Sequence, residues 1–111
     1  MATFSSHLLN SVNGNHAVGI KVTIYQINSN GDKIKYLESE TDSGGRVLKE
    51  LNLTKEDCLC DYEMVCETGN YFSEERIVSE IVVKFKMSDP NKKYHLPIII
   101  SPNSYSIWWS K

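Results

Sequence analysis

The chain predicts an all-β fold, a two-sheet sandwich of about seven or eight short strands with one short helix. Two observations carry this. Apolar and polar residues alternate with a period of two in segment after segment, with β-branched and aromatic residues enriched there. No stretch of helical length sustains a 3.6-residue period, and Gly, Asn, Asp and Ser clusters interrupt the chain at short intervals.

In order along the chain, Val18 to Ile27 sets Ile20, Val22 and Ile24 on one face and Lys21, Thr23 and Tyr25 on the other, as a half-buried strand requires. Asn28 to Asp32 reads as a hairpin loop, and Ile34 to Glu40 as its partner strand. Thr41-Asp-Ser-Gly-Gly45 is a second turn, with glycines available for positive φ, and Arg46 to Leu51 follows as a short strand. Thr54 to Asp57 resembles the start of a brief helical turn with acidic residues near its N-terminus. Asp61 to Glu67 sets Tyr62, Met64 and Cys66 against Glu63, Val65 and Glu67 as another strand. Ser73 to Val78 is the expected helical turn, capped by Ser73 with Glu75 in its first turn. Glu80 to Met87 alternates again, and Tyr94 to Ile100 ends in a continuous apolar run that suits burial on both faces or at an interface. Tyr105 to Trp109 closes the fold, and a strand there sends Trp108 and Trp109 to opposite faces.

Composition bounds the function classes. The 111 residues suffice for a single domain, 1–111, around one core. With 41% hydrophobic and 23% charged residues and a net charge of −2, the chain shows no footprint for nucleic acid or anionic lipid. No basic segment with a following apolar run marks a secretory signal at the start, and the longest apolar stretch, Leu96 to Ile100, is too short to span a bilayer. The expectation is a cytoplasmic protein; the terminal Trp-Ser-Lys lacks the leucine of a peroxisomal Ser-Lys-Leu signal. Cys58, Cys60 and Cys66 form no disulfide framework and read as reduced thiols, with a three-thiolate metal site as the alternative.

Three residues stand out as chemistry: His7, Arg46 just after the glycine turn, and His95 at the start of the apolar strand. A neutral imidazole can take a proton from water, and a guanidinium can fork two hydrogen bonds onto a carbonyl or a urate-like anion. Taken singly, each has an ordinary alternative, a structural or exposed histidine and a solvated arginine. His16, in Asn13-Gly-Asn-His16, reads as solvent-exposed, and His7, His16 and His95 fit no compact metal-ligand spacing.

The order of four motifs resembles the transthyretin-related family, whose enzymatic branch is 5-hydroxyisourate hydrolase. Ser6-His7-Leu8-Leu9-Asn10 followed by Gly14 is similar to its S/T-H-V-L-D-x-x-x-G, and Thr41-Asp-Ser-Gly-Gly-Arg46 to its T-x-x-D-G-R. Tyr71-Phe72 falls at the family's tyrosine-phenylalanine pair. Tyr94-His-Leu-Pro-Ile-Ile-Ile-Ser-Pro102 with Tyr105-Ser106 resembles Y-H-V/I-P-L-L-L-S-P-x-x-Y-S. The resemblance implies two four-stranded sheets, a homotetramer built as a dimer of dimers, and a small-molecule substrate without cofactor or metal. It implies catalytic roles for His7, Arg46 and His95, which the hormone-carrier branch replaces together. The family's terminal Y-R-G-S lines the cleft, which makes Trp108, Trp109 and Ser110 substrate-binding candidates beside Arg46. Here that tetrapeptide is Trp108-Trp109-Ser110-Lys111, which changes the charge and volume of the site. The implied activity is 5-hydroxyisourate hydrolysis in urate catabolism. The changed tail keeps two rivals open: a non-catalytic ligand-binding protein, and a same-fold enzyme for another heterocycle.

Overall fold

The structure, a computed structural model, describes residues 1–111 and resolves the alternation into eight strands and one helix. In chain order these are β1 (Ala2–Asn10), β2 (Lys21–Ile27), β3 (Lys33–Glu40), β4 (Arg46–Leu51), α1 (Lys55–Leu59), β5 (Asp61–Cys66), β6 (Ile81–Lys86), β7 (Lys93–Ser101) and β8 (Ser104–Ile107). They form two four-stranded sheets, ordered β4-β1-β7-β8 and β3-β2-β5-β6. The core lies between them, filled by Phe4, Leu8, Val22, Ile24, Tyr62, Met64, Ile98 and Ile100, each almost wholly buried. No helix is long and apolar enough to cross a membrane.

The strand with the cleanest alternation is β1, which the period-two reading passed over. Every even residue from Ala2 to Asn10 is buried and every odd one between is half-buried. Its buried set includes Ser6 and Asn10, which weakens the apolar signal. Ser6 is accommodated because its hydroxyl donates to the Leu96 carbonyl at 2.7 Å.

Two expectations are corrected. The helix is at Lys55–Leu59, where Thr54 caps it through a reciprocal capping box with Asp57, and not at Ser73 to Val78. Residues 73–78 bury little, with Ile77 88% exposed and Val78 only half-buried. The Asn103 side chain takes the Ile77 N–H and donates to the Glu75 carbonyl, so backbone groups are satisfied without helix and its nucleation cost. The strand expected from Val18 begins only at Lys21, because Gly19 and Ile20 donate their N–H groups to the Thr41 carbonyl and hydroxyl instead. Along β7 the inner face is buried, while on the outer face Pro97 is buried and Ile99 is 37% exposed, so the chain by itself covers only part of the apolar run. Cys58 lies in α1 and Cys60 caps its C-terminal end. All three thiols are unpaired, and burial pushes the Cys66 thiol up to about 12.

The turn before β4 is built tightly. Asp42 accepts the backbone N–H groups of Gly44 and Arg46 at 2.9 and 3.0 Å, and Gly45, at φ +71°, accepts the Leu8 N–H at 2.8 Å. A Cβ at Gly45 would stand 2.6 Å from the Leu8 carbonyl oxygen. Gly45→Ala therefore combines left-handed strain with a backbone clash, and chemical denaturation is expected to show a loss of about 2 kcal/mol or more. A variant as stable as the parent would contradict this account of the turn.

Candidate active site

The outer face of the β4-β1-β7-β8 sheet gathers the candidate residues in cross-strand rows. On one side of β1, His7 pairs with Arg46 of β4; on the other it pairs with Pro97 of β7. In the next row Leu48, Ser5 and His95 are neighbours. Side chains alternate along a strand, so the odd residues of β1 and β7 and the even residues of β4 share this face. His7, Arg46 and His95 therefore come together from three segments far apart in sequence. A hollow of about 200 Å³ is lined by Ser5, Ser6, Arg46, Val47, Leu48 and His95, with His7 one row along.

The local contacts prepare each group. Ser5 Oγ is 2.7 Å from His95 Nδ1, which fixes the ring and leaves Nε2 free of that bond. Arg46 is exposed and takes part in none of the five ion pairs, since the nearby Asp42 carboxylate is engaged by turn N–H groups. Those backbone bonds, with help from Arg46 and His16, hold Asp42 below the usual carboxylate range. His7 is held below the ordinary imidazole value of 6.5 by burial first, then by the Arg46 and His16 charges, against an opposing Gly44 carbonyl. His95 is lowered in the same way by burial and by Arg46. Both rings are thus neutral bases at pH 7, beside an unpaired cation.

The tail divides. Beyond Ile107 the register of β7 with β8 lapses opposite Pro97, which has no N–H to give. It resumes where Ser110 donates its N–H to the His95 carbonyl at 2.9 Å. This continuation sets Ser110 beside His95 and, by alternation, Trp108 on the same outer face. Trp109 turns the other way. Its ring stacks on Tyr94 at 6.1 Å and its indole N–H donates to the Lys93 carbonyl. It borders a separate groove with Phe85, Tyr94 and Leu96, away from the histidines.

Sequence reading missed one member of this face. His16 is exposed, as expected, yet its Nδ1 lies 3.0 Å from His7 Nε2. The available signal was the Asn13-Gly14 turn, which reverses the chain directly after β1. No group of three or more His, Cys, Asp or Glu side chains converges in a metal-binding arrangement.

The architecture is thus an eight-stranded sandwich that carries a histidine and arginine site on an outer sheet face. The chain belongs to the HIUase/Transthyretin family, whose model matches residues 4–109. The 5-hydroxyisourate hydrolase of Salmonella dublin is 33% identical over 107 residues, covering 94% of this chain and 77% of the relative. Among solved structures, Klebsiella pneumoniae 5-hydroxyisourate hydrolase superposes with a TM-score of 0.79 at 23% identity, covering 98% of this chain and 99% of that one. Transthyretin from Sparus aurata superposes with a TM-score of 0.84 at 19% identity, covering 96% and 95%. At these identities the two superpositions speak to fold alone.

Side-chain NMR of the imidazoles across the acid range checks the electrostatics. His7 and His95 are both expected to titrate below 6.5. Because the fold favours the neutral rings, their protonation as pH falls below the unfolded value also lowers stability. Midpoints at or above 6.5 for both rings would contradict the assigned influence of burial and Arg46.

Proposed function

We propose that the chain is a 5-hydroxyisourate hydrolase, a metal-independent cyclic amide hydrolase. It opens the ring of 5-hydroxyisourate to 2-oxo-4-hydroxy-4-carboxy-5-ureidoimidazoline in urate degradation, in the cytoplasm. The observation that carries this reading is the row geometry of His7, Arg46 and His95, in a chain whose relatives include proteins named for that activity.

His95, steadied by Ser5, takes a proton from water through Nε2 as the oxygen adds to the ring carbonyl. Arg46 binds the anionic substrate and stabilises the oxyanion that forms. The C–N bond then breaks, the leaving nitrogen takes the proton back from His95, and the former carbonyl carbon stays in the product as a carboxylic acid that releases its proton to solvent. His7, beside Arg46, orients the attacking water. These steps need only a neutral base and a fixed cation, so the reading calls for no cofactor. Trp108 supplies an apolar wall and Ser110 a polar edge to the substrate. Trp109, which the sequence also suggested for the cleft, anchors the tail on Tyr94.

Assembly as a homotetramer, a dimer of dimers, belongs to the same proposal. Leu48 at 68%, Ile99 at 37% and Trp108 at 44% exposure lie on the face that carries the hollow, and a second copy of the chain would cover them and exclude bulk water. Light scattering is expected to give the mass of four chains, and a monomer at all concentrations would contradict it.

Kinetics on variants test the roles. His95→Ala and His7→Ala are each expected to lower turnover of 5-hydroxyisourate by about 10²-fold, and Arg46→Lys to lower kcat/KM by a similar factor. For the parent, kcat/KM is expected to fall with acid only below 6.5, as the lowered imidazoles protonate. Near-normal turnover in both histidine variants would remove the assignment.

A further inference from the structure

His7 has two charged environments, one on each side. Towards β4 lies the Arg46 guanidinium, and His95 stands across on β7. Towards the β1–β2 loop lies His16, whose Nδ1 is 3.0 Å from His7 Nε2, with the ring centroids 5.1 Å apart. Two neutral imidazoles at that distance share one hydrogen, because one nitrogen must donate and the other accept.

The fold builds this contact. After β1 the chain turns through Gly14 at φ +75° and runs back along β1, with the Asn10 N–H on the Asn15 carbonyl and the Ala17 N–H on the Leu8 carbonyl. A single bridge pairs His16 with Leu9, an odd residue of β1, which puts His16 on the outer face in line with the end of β4. The Asp42 carboxylate interacts electrostatically with Arg46 and, less strongly, with His16.

We propose that His16 is a positioning residue for His7: by holding Nε2 at 3.0 Å it fixes the tilt and tautomer of the imidazole with which His7 orients the attacking water. The inference rests on the hydrolase reading for the use made of His7, while the pair itself stands independently of it.

The test is imidazole NMR across the acid range on the parent, His16→Ala and His16→Gln, joined to steady-state kinetics with 5-hydroxyisourate. In His16→Ala, His7 is expected to titrate at higher pH than in the parent, because the neighbouring cation that opposed its protonation is gone. Its kcat is expected to fall about tenfold with KM little changed. Glutamine can keep a hydrogen bond to Nε2 and hold the ring, so its kcat is expected to recover towards the parent's. A His7 titration unmoved in both variants overturns the proposal whether or not the substrate is turned over, and so does full kcat in His16→Ala. A raised His7 midpoint in a chain without hydrolase activity supports the pair and rejects the hydrolase reading instead.

Discussion

The parallel ladder between β1 and β7 is the constraint on which the rest of this molecule depends. It joins the two ends of the chain, pairing Thr3 to Asn10 with Lys93 to Ile100 residue for residue. Along β1 the alternation is strict, with Phe4 and Leu8 wholly buried between half-exposed neighbours. Burial of each such side chain contributes roughly 1.5–3 kcal/mol. A slip of one residue would drive His7 into the core and Leu8 into solvent, so the apolar residues enforce the register. The site inherits that register without needing polar contacts of its own to hold it.

On the other edge of β1, the turn from Thr41 to Gly45 performs the second act of positioning. The Thr41 hydroxyl accepts the Ile20 N–H and donates to the Ala17 carbonyl, both in the interior, which ties the loop before β2 to the turn before β4. Asp42 devotes its carboxylate to the backbone of that turn and leaves the guanidinium of Arg46 available to an anion. Core packing, turn chemistry and electrostatics thus converge on the same face. Two imidazoles kept neutral by burial stand next to a cation that forms no salt bridge, an arrangement suited to water activation beside an anionic ring.

Much of the sandwich was legible in the residues, and particular elements show why the rest was not. Tyr62, Met64 and Cys66 alternate cleanly, and all three are fully buried in β5. The first strand escaped because Ser6 and Asn10 occupy inward positions, which only the Leu96 carbonyl and neighbouring polar groups make tolerable. Ser73 to Val78 carried helix-start residues without an apolar stripe, and capping signals alone do not offset nucleation. Alternation at the tail was readable, but its sense was not. That Trp109 packs on Tyr94 follows from the tail running back antiparallel along β7 to its start, a tertiary fact. Of the site, His7, Arg46 and His95 were reached through motif resemblance, since nothing in their separations of 39 and 49 residues reveals adjacency. His16 lay in a polar turn that periodicity treats as solvent, and its contact with His7 emerges only when the chain folds back.

The central claim is that this outer sheet face hydrolyses 5-hydroxyisourate although its terminal residues are Trp108-Trp109-Ser110-Lys111. The most direct measurement follows the absorbance of freshly generated 5-hydroxyisourate with and without the purified protein. The account predicts decay much faster than in buffer, saturating with substrate concentration; a folded protein that leaves the buffer rate unchanged would contradict it.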